Sequence, residues 1–199
     1  VRTNCSAGSS SYTSAQFTTS TPVCNDPSNL TSSAVTTSSA TISWNVVTGA
    51  ASYDVDYKEA SSGTWINAAT ATTSVSVNLS GLNAATTYDW RVRTNCIYGN
   101  TSSFSTAQFT TDIPACNAPV TLSTSDLSAS TATVNWSSVS GAASYDVDYK
   151  LPSAGTWTNA ATATTSTSVV ITGLSAATTY DWRVRTNCTY GNNSDFSTA

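Results

Sequence analysis

Apolar and polar residues alternate at every second position through much of the chain, the period of a half-buried β-strand and not the 3.6 of a helix. Thr41-Ile42-Ser43-Trp44 alternates in this way. Tyr53, Val55 and Tyr57 interleave with Asp54, Asp56 and Lys58, and Tyr88, Trp90 and Val92 interleave with Asp89, Arg91 and Arg93. Thr73–Leu79 repeats the pattern. Gly and Asn punctuate the runs at Thr48-Gly49, Ser62-Gly63, Ser80-Gly81 and Tyr98-Gly99-Asn100, as turns require. About seven short strands in roughly 90 residues predict an all-β fold, an antiparallel β-sandwich.

The pattern recurs along the chain. Tyr88–Cys96 and Tyr180–Cys188 carry the same nine letters, and Tyr53–Lys58 recurs at Tyr145–Lys150, both at an offset of 92. Residues 24–107 and 116–199, laid over one another without gaps, agree at 57 of 84 positions. The end of the unit is present a third time, as Val1–Cys5 and Ala15–Thr19. The expected organisation is therefore a stub over 1–19 (the end of the sixth strand and the seventh), a domain over 20–111, and a second over 112–199 that lacks the end of its last strand. Such a frame reads as an interior segment of a longer array. The connections between units are short and carry Pro22 and Pro114, which stiffen them.

Composition removes several functions. His is absent, and with it the commonest general base and metal ligand. The net charge of −4 speaks against nucleic acid. No apolar run approaches the ~18 residues that cross a bilayer, so no membrane insertion is expected. Neither C-x-x-C nor a D-x-D-x-D-G loop occurs, so neither metal nor cofactor is expected. Ser and Thr number 35 and 37, a proportion compatible with disorder, but 6 Trp and 9 Tyr argue for packed cores. Five Cys and no Met point to disulfides and an extracellular, secreted or cell-surface location; the odd count leaves at least one Cys without a partner.

At these residues the chain resembles the fibronectin type III domain. Trp44 and Trp136 sit on the second strand, and Tyr53 and Tyr145 open the Y-x-V-x-Y third strand. Leu82 and Leu174 fall six residues before Tyr88 and Tyr180, the spacing of a tyrosine corner. The resemblance implies tandem seven-stranded sandwiches. The cysteines depart from the animal pattern and look more like the domain in bacterial secreted proteins. In the family's topology the first strand starts at the pole where the sixth ends. That implies the pairs Cys24–Cys96 and Cys116–Cys188, one per domain, with Cys5 unpaired. The topology also implies units with termini at opposite poles, stacked end to end.

The same topology makes the third and sixth strands neighbours. Asp54, Asp56, Arg91 and Arg93, with their copies Asp146, Asp148, Arg183 and Arg185, then form a flat, exposed cross-strand charge ladder whose acids stay ionised. Trp65 and Trp157 are expected on a short edge strand, and Tyr98 and Tyr190 at a loop tip. These four are the candidate ligand contacts, because exposed aromatics stack on sugar rings. Nucleophilic catalysis fails for want of His, so no enzyme is expected. The first functional expectation is a non-catalytic stalk or fibre segment of an extracellular adhesin. Its partners would be neighbouring repeats, other copies in a fibre, or a surface glycan or protein. The alternative is an accessory carbohydrate-binding or spacer module of a secreted polysaccharide-degrading enzyme.

Overall fold

The computed structural model describes residues 1–198. Every element is a strand. One compact unit comprises residues 1–82 and 86–111, and a second comprises residues 83–85 with those from 112 onward.

The first nineteen residues hold a minimal hairpin, β1 (Asn4–Cys5) against β2 (Gly8–Ser9). Ala15–Thr19, expected as a last strand, lies in no strand. The same letters at Ala107–Thr110 pair with residues 87 to 90.

The first unit continues with β3 (Thr31–Ser33), β4 (Ser39–Ser43), β5 (Ala50–Glu59), β6 (Ile66–Thr72), β7 (Ser76–Ser80), β8 (Thr87–Cys96) and β9 (Ser105–Thr110). They form a three-stranded sheet, β3-β4-β7, and a four-stranded sheet, β6-β5-β8-β9, with all pairings antiparallel. The period-two pattern turns Ile42 of the first sheet, and Trp44 just beyond the end of β4, onto Tyr53, Val55, Trp90 and Val92 of the second, and all six are buried. Burial of each such side chain contributes about 2 kcal/mol. Trp44 meets Tyr53 edge-on with ring centroids 5.4 Å apart. The Tyr53 hydroxyl accepts a hydrogen bond from the Val47 N–H at 2.9 Å, so its polar end is satisfied inside the sandwich.

The second unit repeats the plan with β10 (Leu122–Ser125), β11 (Thr131–Trp136), β12 (Ala142–Lys150), β13 (Thr158–Thr164), β14 (Ser168–Thr172), β15 (Asp181–Cys188) and β16 (Ser197–Thr198). Its sheets are β10-β11-β14 and β13-β12-β15-β16. The tyrosine corner closes here as the Tyr180 hydroxyl accepts from the Ser175 N–H at 3.2 Å.

Both expected disulfides are present. Cys24 joins Cys96 with Cα atoms 5.9 Å apart, and Cys116 joins Cys188 at 5.8 Å. Each ties the segment before a unit's first strand to the end of its sixth. Each bridges 72 positions in sequence, a closure that constrains the unfolded chain by about 4 kcal/mol in the entropy model. Cys5 is free and exposed.

Candidate functional site

The outer face of each four-stranded sheet gathers most of the unit's charge. Alternation points Asp54, Asp56 and Lys58 of β5 outward, and the register sets them opposite Arg93, Arg91 and Asp89 of β8. Each pairing joins opposite charges. Arg93 donates to Asp54 Oδ2 from Nε at 3.1 Å and from Nη2 at 2.9 Å. Arg91 donates to Asp56 Oδ2 at 3.0 Å from Nε and lies 2.9 Å away through Nη2. Lys58 Nζ stands 3.1 Å from Asp89. In the second unit Arg185 grips Asp146 and Arg183 grips Asp148, with Nη2 2.8 Å from the carboxylate in both cases.

The arrangement is not the flat, exposed ladder expected from strand geometry. The Asp54 and Asp146 side chains are only 15% and 11% accessible. Two rings clamp each inner arginine: the Arg91 guanidinium lies 4.2 Å from the Trp65 centroid and 4.1 Å from that of Phe104. Arg183 is held in the same way by Trp157 at 4.2 Å and Phe196 at 3.8 Å. Cation–π attraction and the length of the arginine side chain draw the aromatic lids over the sheet.

Trp65 and Trp157 accordingly sit half-buried in the loops just before β6 and β13, not on the edge strands themselves. Tyr98 and Tyr190 lie in the turns after β8 and β15 and are exposed. Phe104 and Phe196 are partners that the alternation rule does not disclose, since both precede their strands; their recurrence at the 92-residue offset was the available signal.

The innermost acid also shapes the backbone. Asp54 Oδ1 accepts from the Ala71 N–H at 2.9 Å and from the Asn95 side chain at 3.0 Å. Ala71 has φ 52°, a left-handed conformation in the stretch where the β5–β6 register shifts. Asp146 repeats the contact with Ala163 at 2.9 Å, also at φ 52°. A carboxylate thus takes the N–H that the bulge removes from the ladder. Burial alone would push the Asp54 and Asp146 carboxyls up. The Ala71 or Ala163 N–H, the arginine and the asparagine outweigh it and hold both below the ordinary carboxylate range. Gln108 and Lys58 lower Asp89 as well. A general acid needs the opposite shift, so the chemistry this face offers is hydrogen bonding and stacking, not proton donation. Among the described residues no cluster of three or more His, Cys, Asp or Glu could hold a metal ion.

A three-stranded sheet packed on a four-stranded one, with a tyrosine corner, defines the immunoglobulin-like β-sandwich class. Within that class, the fibronectin type III domain matches residues 25–111 and again 117–199, and the chain belongs to this family. It is 33% identical to chitinase A1 of Niallia circulans over 87% of the chain and 25% of that protein. It is 33% identical to endoglucanase B of Cellulomonas fimi over 80% of the chain, and 35% identical to exoglucanase B of the same species over 85%. Each of the last two is covered over 16% of its length, so the chain spans a quarter or less of these relatives. A two-domain fibronectin type III segment of chicken tenascin superposes with a TM-score of 0.54, covering 88% of this chain and 98% of that one at 22% identity, a likeness of fold.

Proposed function

We propose that the two units are non-catalytic spacer or accessory modules of a secreted bacterial protein that acts on a polysaccharide. This reading is favoured over the adhesin stalk by one observation. The chain is similar over 80% or more of its length to parts of a chitinase, an endoglucanase and an exoglucanase, and covers a quarter or less of each. The paired disulfides fit an oxidising, extracellular setting. No helix is long and apolar enough to cross a membrane among the described residues. Self-contained sandwiches stapled by cystine would hold a neighbouring domain at a fixed remove from an insoluble substrate.

The test is the intact mass of the protein from its source, with peptide sequencing of its digest. Peptides of an unrelated, glycan-hydrolysing domain within the same chain support the proposal. A mass of several hundred kilodaltons, with digests made of these repeats alone, overturns it in favour of a stalk or fibre.

A further inference from the structure

The aromatic lid of the first unit also forms one wall of a groove. Trp65 on one side and Asp89, Thr106, Ala107 and Gln108 on the other line it. The register places Gln108 opposite Asp89 and Thr106 opposite Arg91, on the outer face of β8 and β9. Three kinds of hydrogen-bonding group, a carboxylate, a carboxamide and a hydroxyl, therefore stand beside one indole ring.

The groove is neutral and ordered before any ligand arrives. Asp89 is balanced by Lys58 at 3.1 Å and accepts from the Gln108 side-chain amide. Trp65 is steadied by the Arg91 guanidinium at 4.2 Å and by Lys58 Nζ, 5.4 Å from its centroid. A charged ligand would have to break the Lys58–Asp89 pair. An uncharged ring with a flat C–H face and equatorial hydroxyls would not: the face suits an indole, and the hydroxyls suit fixed donors and acceptors. No side chain needs to be ordered on binding, which keeps a small contact from being lost to entropy.

We propose that this groove is a subsite for one pyranose ring of a β-1,4-linked, all-equatorial polysaccharide, with the ring stacked on Trp65 and its hydroxyls bonded to Asp89, Gln108 and Thr106. The proposal rests on the polysaccharide reading above and gives it a place of contact. The shared chemistry is the β-1,4-linked glucopyranose ring, and two probes separate its sources.

The 199-residue chain, labelled with 15N, is titrated with cellotetraose and with tetra-N-acetylchitotetraose while the Trp indole N–H resonances are followed. The expected result is movement of the Trp65 resonance with a Kd of about 1 mM for one probe or both, the weak affinity of a single ring. The buried Trp44, Trp90, Trp136 and Trp182 resonances stay in place. Trp65→Ala, followed through the Gln108 side-chain amide resonances, removes the binding, and Gln108→Ala, followed through the Trp65 indole, weakens it about fivefold. Because Trp65→Ala also strips a ring from Arg91, Thr106→Tyr provides a second test: it fills the groove with the lid intact and weakens binding about tenfold or more. No movement with either probe up to about 10 mM overturns the proposal. So does movement that survives Thr106→Tyr. Either failure, in a protein whose digest shows a glycan-hydrolysing domain, leaves the spacer reading standing.

Discussion

Two pentapeptides recur in this chain with different fates. Val92–Cys96 and Val1–Cys5 have the same letters, as do Ala107–Thr111 and Ala15–Thr19. In the first unit Val92 is fully buried, Arg93 grips Asp54, and Cys96 is bonded to Cys24. In the stub Val1 is exposed, Arg2 rests over the Tyr12 ring at 5.0 Å, and Cys5 is free. Phe109 is 7% accessible and stacks on Tyr88 at 5.6 Å, whereas Phe17 is 90% accessible. The letters confer a capacity for strand, and the neighbouring strand decides whether it is used.

Substitutions at matched positions test that contrast, the largest effect first. Cys96→Ser should lower the stability of the first unit by about 4 kcal/mol, while Cys5→Ser leaves it unchanged; calorimetry of the two variants checks this. Phe109→Ala should cost about 3 kcal/mol in denaturant unfolding, and Phe17→Ala nothing beyond error. An equal effect at the two phenylalanines would break the comparison, because it would mean that residues 15–19 carry structure of their own.

Arg93→Ala should cost about 2 kcal/mol, by leaving the Asp54 carboxylate half-buried without its cation, and Arg2→Ala should cost nothing measurable. Its acid limb sharpens the point. The folded-state pKa of Asp54 is depressed, so the stability it contributes is present above the unfolded carboxylate value of 3.8 and is lost as pH falls through the folded value. Unfolding midpoints measured from pH 6 down to pH 2 should therefore fall less steeply below about pH 4 in Arg93→Ala than in the parent. The smallest effect belongs to the bulge. Ala71→Gly relieves a left-handed alanine but loosens the unfolded chain, for a net gain of about 0.5 kcal/mol by thermal unfolding.

Different parts of the architecture were legible in the sequence for different reasons. Trp44, Tyr53 and Trp90 reveal the sandwich because their period is two and the unit recurs at 92 residues. The cystines follow once the resemblance supplies a topology. The ion pairs follow only halfway: alternation puts Asp54 and Arg93 on one face, but the rings that stand over the arginines, Trp65 and Phe104, lie in loops where no period applies. The left-handed Ala71 has no signature at all, because alanine carries no preference for that conformation. Its cause is the Asp54 carboxylate, 17 positions away in sequence. Ala15–Thr19 shows the converse: the same letters that form most of β9 from Ala107 to Thr110 lie here in no strand.

The charge ladder has a further consequence for proteolysis. The chain holds seven Lys and Arg residues, the cleavage points of trypsin-like proteases. Arg2 stands exposed near the start, and the other six, at 58, 91, 93, 150, 183 and 185, all lie within strands. A protease needs an extended, unpaired segment in its cleft, so each of these six can be cut only after its sheet opens. Resistance to digestion is thus tied to the stability of the fold, and the side chains that a trypsin-like protease would seek are among those that hold its door shut.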